Sequence, residues 1–405
     1  MLRRIVKYGT KVFGLAQLVE KIEDRRRQPR IPTRVVVWAT LAMHLARLGS
    51  LNALEQTKAS SFWSKWLGAK LPSADSMGRI TAGMNPDSIR EAQHGIYARL
   101  KRNKALQPLS GGLTVLVLDG HESHATYRRR CDGCLERKRG KRTQYYHQQV
   151  TAMLLGANFP VLLDAEAQRP GEDEITTAIR LLQRLLKNYP RAFDVVVGDA
   201  LYADTRFFKA VVGHGKDLLA VLKANRKDLL LDAKALFAQM EPVELTGVAD
   251  SCQTWDLSDF TTWSQVSRSV RVVRSLERRN KRRQLDDQLE ETCSDWMWVT
   301  TLSAHQANTA TVVRLGHARW DIENRGFNET VNRWHADHVH KHDATAILAF
   351  WLQAMLAFNL FHAFYFRNLK PVAWRRYSLL HVSRCMASDL YGDYRDPALA
   401  LARPP

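Results

Sequence analysis

Between residues 113 and 199 the chain reads as three strands, a helix and a further strand, and this order constrains the fold more than any other feature. "LTVLVLD" (113–119), "YYHQQVTAMLLG" (145–156) and "FPVLLDAEAQ" (159–168) have the β-branched and apolar content of strands. "EDEITTAIRLLQRLLKNY" (172–189) carries apolar residues at helical spacing, and "FDVVVGD" (193–199) is a short, very apolar strand. The expected class is α/β, built on a mixed sheet.

That order is the one in which a ribonuclease H-like sheet begins, and its next element of interest would be a helix much further on. Two of the strands close on carboxylates, Asp119 before Gly120 and Asp199 before Ala200. Both are therefore expected at the carboxyl edge of the sheet, where open α/β folds place ligands. Asp commonly ends strands, so weight attaches to the pair only with a third acid. The segment "ARWDIENRGFNETVNRW" (318–334) supplies one. Continued from upstream on a 3.6-residue period, Val312, Gly316, Trp320, Glu323, Phe327, Val331 and Trp334 share one face. Glu323 is thus expected on the core side, where a carboxylate is costly unless a positive group holds it. The rival Glu329 lies about 120° around such a helix, off the apolar stripe. Three carboxylates form a hard oxygen donor set suited to Mg²⁺. Two such ions about 3.5–4 Å apart support in-line phosphoryl displacement without a covalent protein nucleophile.

The partner class follows from charge. The 405 residues hold 60 Lys and Arg against 41 Asp and Glu, a net +19 that points to a polyanion such as nucleic acid. A membrane reading is weaker. The N-terminus "MLRRIVKYGTKVFG" has charges throughout and no signal-type apolar core, and the apolar run at 346–361 is broken by Gln353 and Asn359 and is short for a span. It reads as a buried helix, with Asn359 and His362 as satisfied core polar groups. Five unevenly spread cysteines fit reduced thiols and a cytoplasmic chain.

Five segments are expected. Residues 1–108 form a helical N-terminal domain, a candidate for DNA-end binding through Arg25, Arg26, Arg27, Arg30 and Arg34. Residues 109–225 are the first part of the core, 226–300 a β-rich insertion, 301–370 the second part with the Glu helix, and 371–405 a basic tail, a candidate for dimer contacts. The insertion holds "ERRNKRR" (277–283) and Trp255, Trp263, Trp296 and Trp298, which either pack across strands or stack on an extruded base. "CDGCLERKRGKR" (131–142) offers half a zinc site in Cys131 and Cys134, with His121, His124 and His147 as candidate further ligands and free thiols as the alternative. Its basic run, Lys138, Arg139, Lys141 and Arg142, suits a clamp on a phosphate backbone. "RPGEDE" (169–174) reads as a helix start with acids in the first turn.

Asp119, Asp199 and Glu323, with "RWDIEN" around the Glu, resemble the DDE transposases of bacterial insertion sequences, in the branch similar to insertion sequence four. The resemblance covers roughly residues 110–365. That branch carries an Arg four residues before its Glu, here Arg319, and a β-rich insertion, here within the 123 residues between Asp199 and Glu323. It also has a Tyr three residues before the Arg and a Lys seven after the Glu, where this chain has Gly316 and Thr330. Phosphate contacts made there are expected to move to Arg325, Arg333, His338 or Lys341, with Trp298 as the base-stacking residue. The resemblance implies end cleavage and strand transfer with two Mg²⁺, Mn²⁺ substituting. It also implies duplex DNA bearing terminal inverted repeats, a target DNA, and a homodimer in the synaptic complex. A structure-directed nuclease and a domesticated DNA-binding protein without catalysis are the alternatives.

Overall fold

A computed structural model describes residues 1–282 and 287–391. The first hundred residues are helical, as expected: α1 (Leu2–Phe13), α2 (Leu15–Glu20), α3 (Thr33–Leu45), α4 (Leu51–Gln56), α5 (Ser61–Leu67), α6 (Ala74–Thr81) and α7 (Pro86–Arg102). Local chemistry sets their ends. Gly14, at φ 69°, terminates α1 in the left-handed region where glycine is unstrained. Asn85 caps α7 by accepting from the Asp87 N–H at 3.0 Å, with Pro86 in the first turn.

The sheet follows, with β1 (Val115–Thr126), β2 (Leu135–Arg139), β3 (Arg142–Leu155), β4 (Val161–Ala167), β5 (Val195–Gly198), β6 (Asp217–Val221), β7 (Val243–Glu244), β8 (Ser251–Phe260), β9 (Val270–Arg282) and β10 (Leu289–Thr300). β1, β3 and β4 form an antiparallel meander, while β5 joins β1 and β6 joins β5 in parallel. This is a ribonuclease H-like mixed sheet. The end of β10 pairs antiparallel with β6, so the β-rich stretch continues the same ten-stranded sheet.

The remaining helices include α8 (Glu174–Asn188), α9 (Thr205–Val212), α10 (Lys227–Phe237), α11 (Thr309–Ala318), a long π-helix (Ile322–Arg333), α12 (Ala344–Ala363) with a short π-helical extension (Phe364–Asn368), α13 (Pro371–Arg376) and α14 (Leu379–Tyr391). α12 is apolar all round and buried almost throughout, packed between β4 and the helices α3, α6 and α7. The segment Ala344–Asn368 is long and apolar enough to cross a membrane, but 78% of its most apolar window is inside the protein. Asn359 pairs with one residue of β4, accepting from the Leu162 N–H at 2.9 Å and donating to its carbonyl at 2.7 Å. His362 Nδ1 lies 3.0 Å from the Phe358 carbonyl, so both core polar groups are satisfied as expected. One apolar cluster runs from Leu2 to Leu390, and the N-terminal helices share it with the sheet.

An ionic network fixes helices to β4. Asp164 receives Arg90 Nε of α7 at 2.9 Å and Arg184 Nε of α8 at 2.6 Å, and Glu166 receives Arg180 Nε at 2.7 Å. The middle of α8 is thereby held against the sheet.

Two local expectations are corrected. β1 does not stop at Asp119, because the strand keeps its β3 partner to Thr126 after losing β5 at Val117. The Glu323 segment is not an α-helix. Its i→i+5 hydrogen bonding widens the turn, and the element buries Ile322, Gly326, Phe327, Glu329 and Thr330, while Trp320, just before it, is 37% exposed. The last part of the basic tail, 392–405, and Arg283 of the run 277–283 lie outside the described residues.

Candidate active site

β1 and β5 pair in parallel register from Val115 with Val195 to Val117 with Val197. Asp119 and Asp199 each stand two residues beyond that last pair. Side chains alternate along a strand, so both carboxylates leave the same end of the sheet from matching positions. Asp199 accepts from the Leu201 N–H at 2.8 Å and caps the turn Ala200–Tyr202. Tyr202 folds back beneath Gly198, where a Cβ would lie 2.5 Å from its ring.

Glu174, read from sequence as helix-dipole chemistry alone, joins this pair. Its Oε1 accepts from the Tyr202 hydroxyl at 3.1 Å and its Oε2 from Gln148 Nε2 at 2.7 Å. A Cβ on Gly120 would meet Glu174 Oε2 at 2.3 Å, so only glycine after Asp119 lets the fourth acid in. Asp173, its neighbour, caps α8 by accepting from the Thr176 N–H at 2.8 Å. No sequence signal separated the two acids, because Glu174 acquires its place through tertiary approach.

The electrostatics are those of a crowded acidic site. Burial first, then the carboxylates of Asp199 and Glu174, push the Asp119 carboxyl up to about 7, with Glu323 adding to the rise and Arg319 opposing it. Glu174 is also raised, chiefly by burial, against hydrogen bonds from Tyr202 and Gln148.

Glu323 approaches from the π-helix with its side chain 41% exposed, so the acid expected on the core side is the accessible one. Arg319 is its buried partner, at 3.1 Å and with 8% of the side chain exposed. The guanidinium lies 3.9 Å over the Trp320 ring, and its Nε has no hydrogen-bond partner among the described residues. The rival Glu329 is buried elsewhere, ion-paired to Arg47 and accepting from Trp334 Nε1 at 3.0 Å and Arg333 Nη1 at 3.2 Å.

The two departures from the resembled signature have structural reasons. A Cβ on Gly316 would sit 2.3 Å from Trp298 Nε1, so the indole occupies the space of a side chain there. Thr330 is 1% exposed and donates to the Gly326 carbonyl at 3.0 Å, so its side chain faces inward. Trp298 is itself 1% exposed and stacked on Trp296, which corrects its assignment as a base-stacking residue: it is core. Trp263 is likewise buried. Of the cations expected to touch phosphate, Arg325 pairs with Asp321 at 3.3 Å and Arg333 with Glu329, both partly exposed, while Lys341 packs near Gly78 of α6.

Cys131 and Cys134 come together with His147, as anticipated, and with His342, which was not. Their two sulfurs and two imidazole nitrogens all lie within 4.8 Å of one another. His121 instead stacks between Phe327 and Trp351, and His124 lies edge-on to His342.

The carboxylate donor set suits a divalent cation on the structure's own terms. Burial and the neighbouring carboxylates raise the Asp119 carboxyl to about 7 against the opposing Arg319, and a cation bound there would relieve that repulsion. A family model described as transposase DDE domain matches residues 110–360, more than half of the chain. No curated protein matches it.

Proposed function

Because the chain belongs to the family of transposase DDE domains, we propose that it cleaves the ends of an insertion sequence and joins them to target DNA, in the branch similar to insertion sequence four. The observation that carries this reading is the matched placement of Asp119 and Asp199 beyond the Val117–Val197 pair, where burial, then Asp199 and Glu174, with a smaller share from Glu323, raise the Asp119 carboxyl to about 7. Arg319, one turn before Glu323, and the long β-rich stretch after Asp199 support the branch.

Asp119, Asp199 and Glu323 would hold two Mg²⁺, or Mn²⁺ in their place. Such ions supply activation of a water or 3′-hydroxyl and charge stabilisation on the leaving oxygen. The chain's own residues do the rest. Glu174, held by Tyr202 and Gln148, keeps a fourth carboxyl ordered in the wall of the site. Arg319 sets the Glu323 carboxylate and has an Nε–H available to a phosphate oxygen. Arg325, Arg333 and Lys341 grip the backbone of the duplex beside the π-helix. Two copies of the chain would bring two ends together in a synaptic homodimer.

The test is a cleavage and strand-transfer assay with Mg²⁺ and a duplex ending in the inverted repeat taken from DNA flanking the gene. Joined products are expected from the wild type. Asp119→Asn, Asp199→Asn and Glu323→Gln should abolish them while leaving duplex binding nearly intact. Cleavage without joining would reduce the reading to a nuclease, and an active Glu323→Gln enzyme would remove that residue from the site.

A further inference from the structure

About the exit of the catalytic helix, three stretches of chain distant in sequence converge on four soft donors. Cys131 and Cys134 sit in the turn between β1 and β2, His147 lies on β3, and His342 precedes α12. Cys131 Sγ is 3.6 Å from Cys134 Sγ, and His147 Nε2 is 3.3 Å from each sulfur. His342 Nε2 lies 3.8 Å from Cys134 Sγ, across 208 residues of sequence. A tetrahedral ion with metal–sulfur bonds of about 2.3 Å and metal–nitrogen bonds of about 2.0–2.1 Å requires edges of about 3.8 Å between sulfurs and about 3.5 Å between sulfur and nitrogen. The observed spacings match those edges. They do not match a disulfide, in which the sulfurs would be about 2.05 Å apart.

The surroundings fit a closed site. The Cys131 N–H donates to Cys134 Sγ at 3.2 Å, which fixes the orientation of that sulfur within the turn. A Cβ on Gly133 would lie 2.6 Å from the Ala344 Cβ, so the cysteine turn can seat on the first residue of α12 only because it carries glycine. Packing therefore brings the two halves of the ligand set together independently of any attraction between the donors.

We infer that Cys131, Cys134, His147 and His342 bind one Zn²⁺ as a four-coordinate structural site, separate in place and chemistry from the carboxylates. Two thiolates and two neutral imidazoles balance the charge of the ion and select zinc over Mg²⁺, which takes oxygen donors. The ion ties the segment that follows the π-helix to β3, whose Thr151 is the partner of Asp119, and to the root of the β2–β3 hairpin. That hairpin projects Lys138, Arg139, Lys141 and Arg142 into solvent, with Arg128 and Arg129 exposed beside its root. Zinc thereby fixes a basic arm relative to the helix that bears Glu323. This last consequence, unlike zinc binding itself, rests on the reading of the chain as a DNA-processing enzyme.

The test begins with the intact protein, purified under reducing conditions without chelator and analysed for metal. One zinc per chain is expected. Replacement by Co²⁺ should give thiolate charge-transfer bands and the intense visible bands of a tetrahedral ion. His342→Ala and Cys134→Ser should lose the metal, and His124→Ala should keep it although its ring touches His342. A wild-type protein that neither contains zinc nor takes it up, a Co²⁺ spectrum without thiolate bands, or full zinc content in His342→Ala would overturn the site. The Co²⁺ arm uses wild-type protein and stands even if a variant fails to fold. Chelator-stripped protein should bind a plain duplex about tenfold more weakly, with a shallower salt dependence. Zinc bound stoichiometrically with duplex binding unchanged by stripping would overturn the role in fixing the arm and leave the metal site in place.

Discussion

Arg47, just beyond the end of α3, and Glu329, on the π-helix, form an ion pair in which only 6% and 7% of the two side chains are exposed. It joins the N-terminal helices to the element that carries Glu323. Two acids six residues apart therefore do opposite work, one buried and holding the fold together, the other accessible beside Asp119 and Asp199.

That division gives the first prediction. Glu329→Gln leaves a buried guanidinium without its counter-charge and should cost about 3 kcal/mol or more in urea or thermal unfolding. Glu323→Gln removes an acid with 41% of its side chain exposed and should change stability by only about 0.5 kcal/mol. The same two variants should reverse order in a cleavage assay, Glu323→Gln being inactive while folded Glu329→Gln still cleaves. Equal stability of the two proteins would dismiss the structural role of Glu329.

The second prediction concerns Asp119. Its carboxyl is raised from an ordinary 3.8 to about 7, so between those values it binds a proton in the folded chain and none in the unfolded one. Folding stability from this group is present below pH 3.8 and is lost as pH rises toward 7. His44 and His362, held neutral down to about 4 by burial, act in the opposite sense, losing stability as pH falls below 6.5. The difference between wild type and Asp119→Asn isolates the carboxyl: at pH 8, without divalent ions, the variant should be more stable by on the order of 2–4 kcal/mol, and the gap should close toward pH 4. Mg²⁺ must displace the same proton, so its apparent affinity should rise about tenfold per pH unit up to 7 and level off above. Melting curves over a Mg²⁺ series at several pH values measure both, and a pH-independent gap would contradict the shared acidic site.

The third concerns Gly316 and Trp298. Adding a Cβ 2.3 Å from the indole nitrogen forces a core tryptophan to move, so Gly316→Ala should cost about 1–3 kcal/mol. Trp298→Leu opens that space, and the double variant should be more stable than the sum of the single effects by about 0.5–3 kcal/mol. Additive effects would mean that the indole does not occupy the space of the missing side chain.

Much of this arrangement could be read from sequence because it rests on local patterns. The run of valines before Asp199 and the apolar stretch before Asp119 define two neighbouring strands, and the acids follow from their ends. Where the reading failed, the cause was distance or an unusual backbone. A 3.6-residue period assigned Glu323 to the core, and the π-helix turned it outward and put Glu329 inside. Glu174 belongs with Asp119 only because Gly120 has no side chain, and His342 reaches Cys134 only after the chain has built the sheet and crossed the π-helix. Trp298 looked like its neighbours in an alternating stretch, yet the last residues of β10 are the ones that enter the core beside β6.

The fourth prediction concerns Arg319. An exposed ion pair four residues apart on a helix contributes only about 0.3–0.5 kcal/mol, and such a pair would explain little. Here the burial is uneven, with 8% of the Arg side chain exposed against 41% of the Glu, so the cation is the fixed partner and the carboxylate the accessible one. The guanidinium is further held flat over Trp320, and its Nε is a buried donor without a partner among the described residues. Buried donors are rarely left unsatisfied, and a substrate phosphate oxygen is the acceptor the proposed reaction brings. Lys has neither the planar fork nor the stacking face to reproduce this. Arg319→Lys should therefore stay folded with a loss of about 1 kcal/mol or less, require more Mg²⁺ for half-maximal rate, and cleave at least about tenfold more slowly at saturating Mg²⁺, a barrier increase of about 1.4 kcal/mol. Cleavage at the wild-type rate, with an unchanged Mg²⁺ requirement, would reduce Arg319 to a packing residue of the π-helix and leave Glu323 to be held by the metals alone.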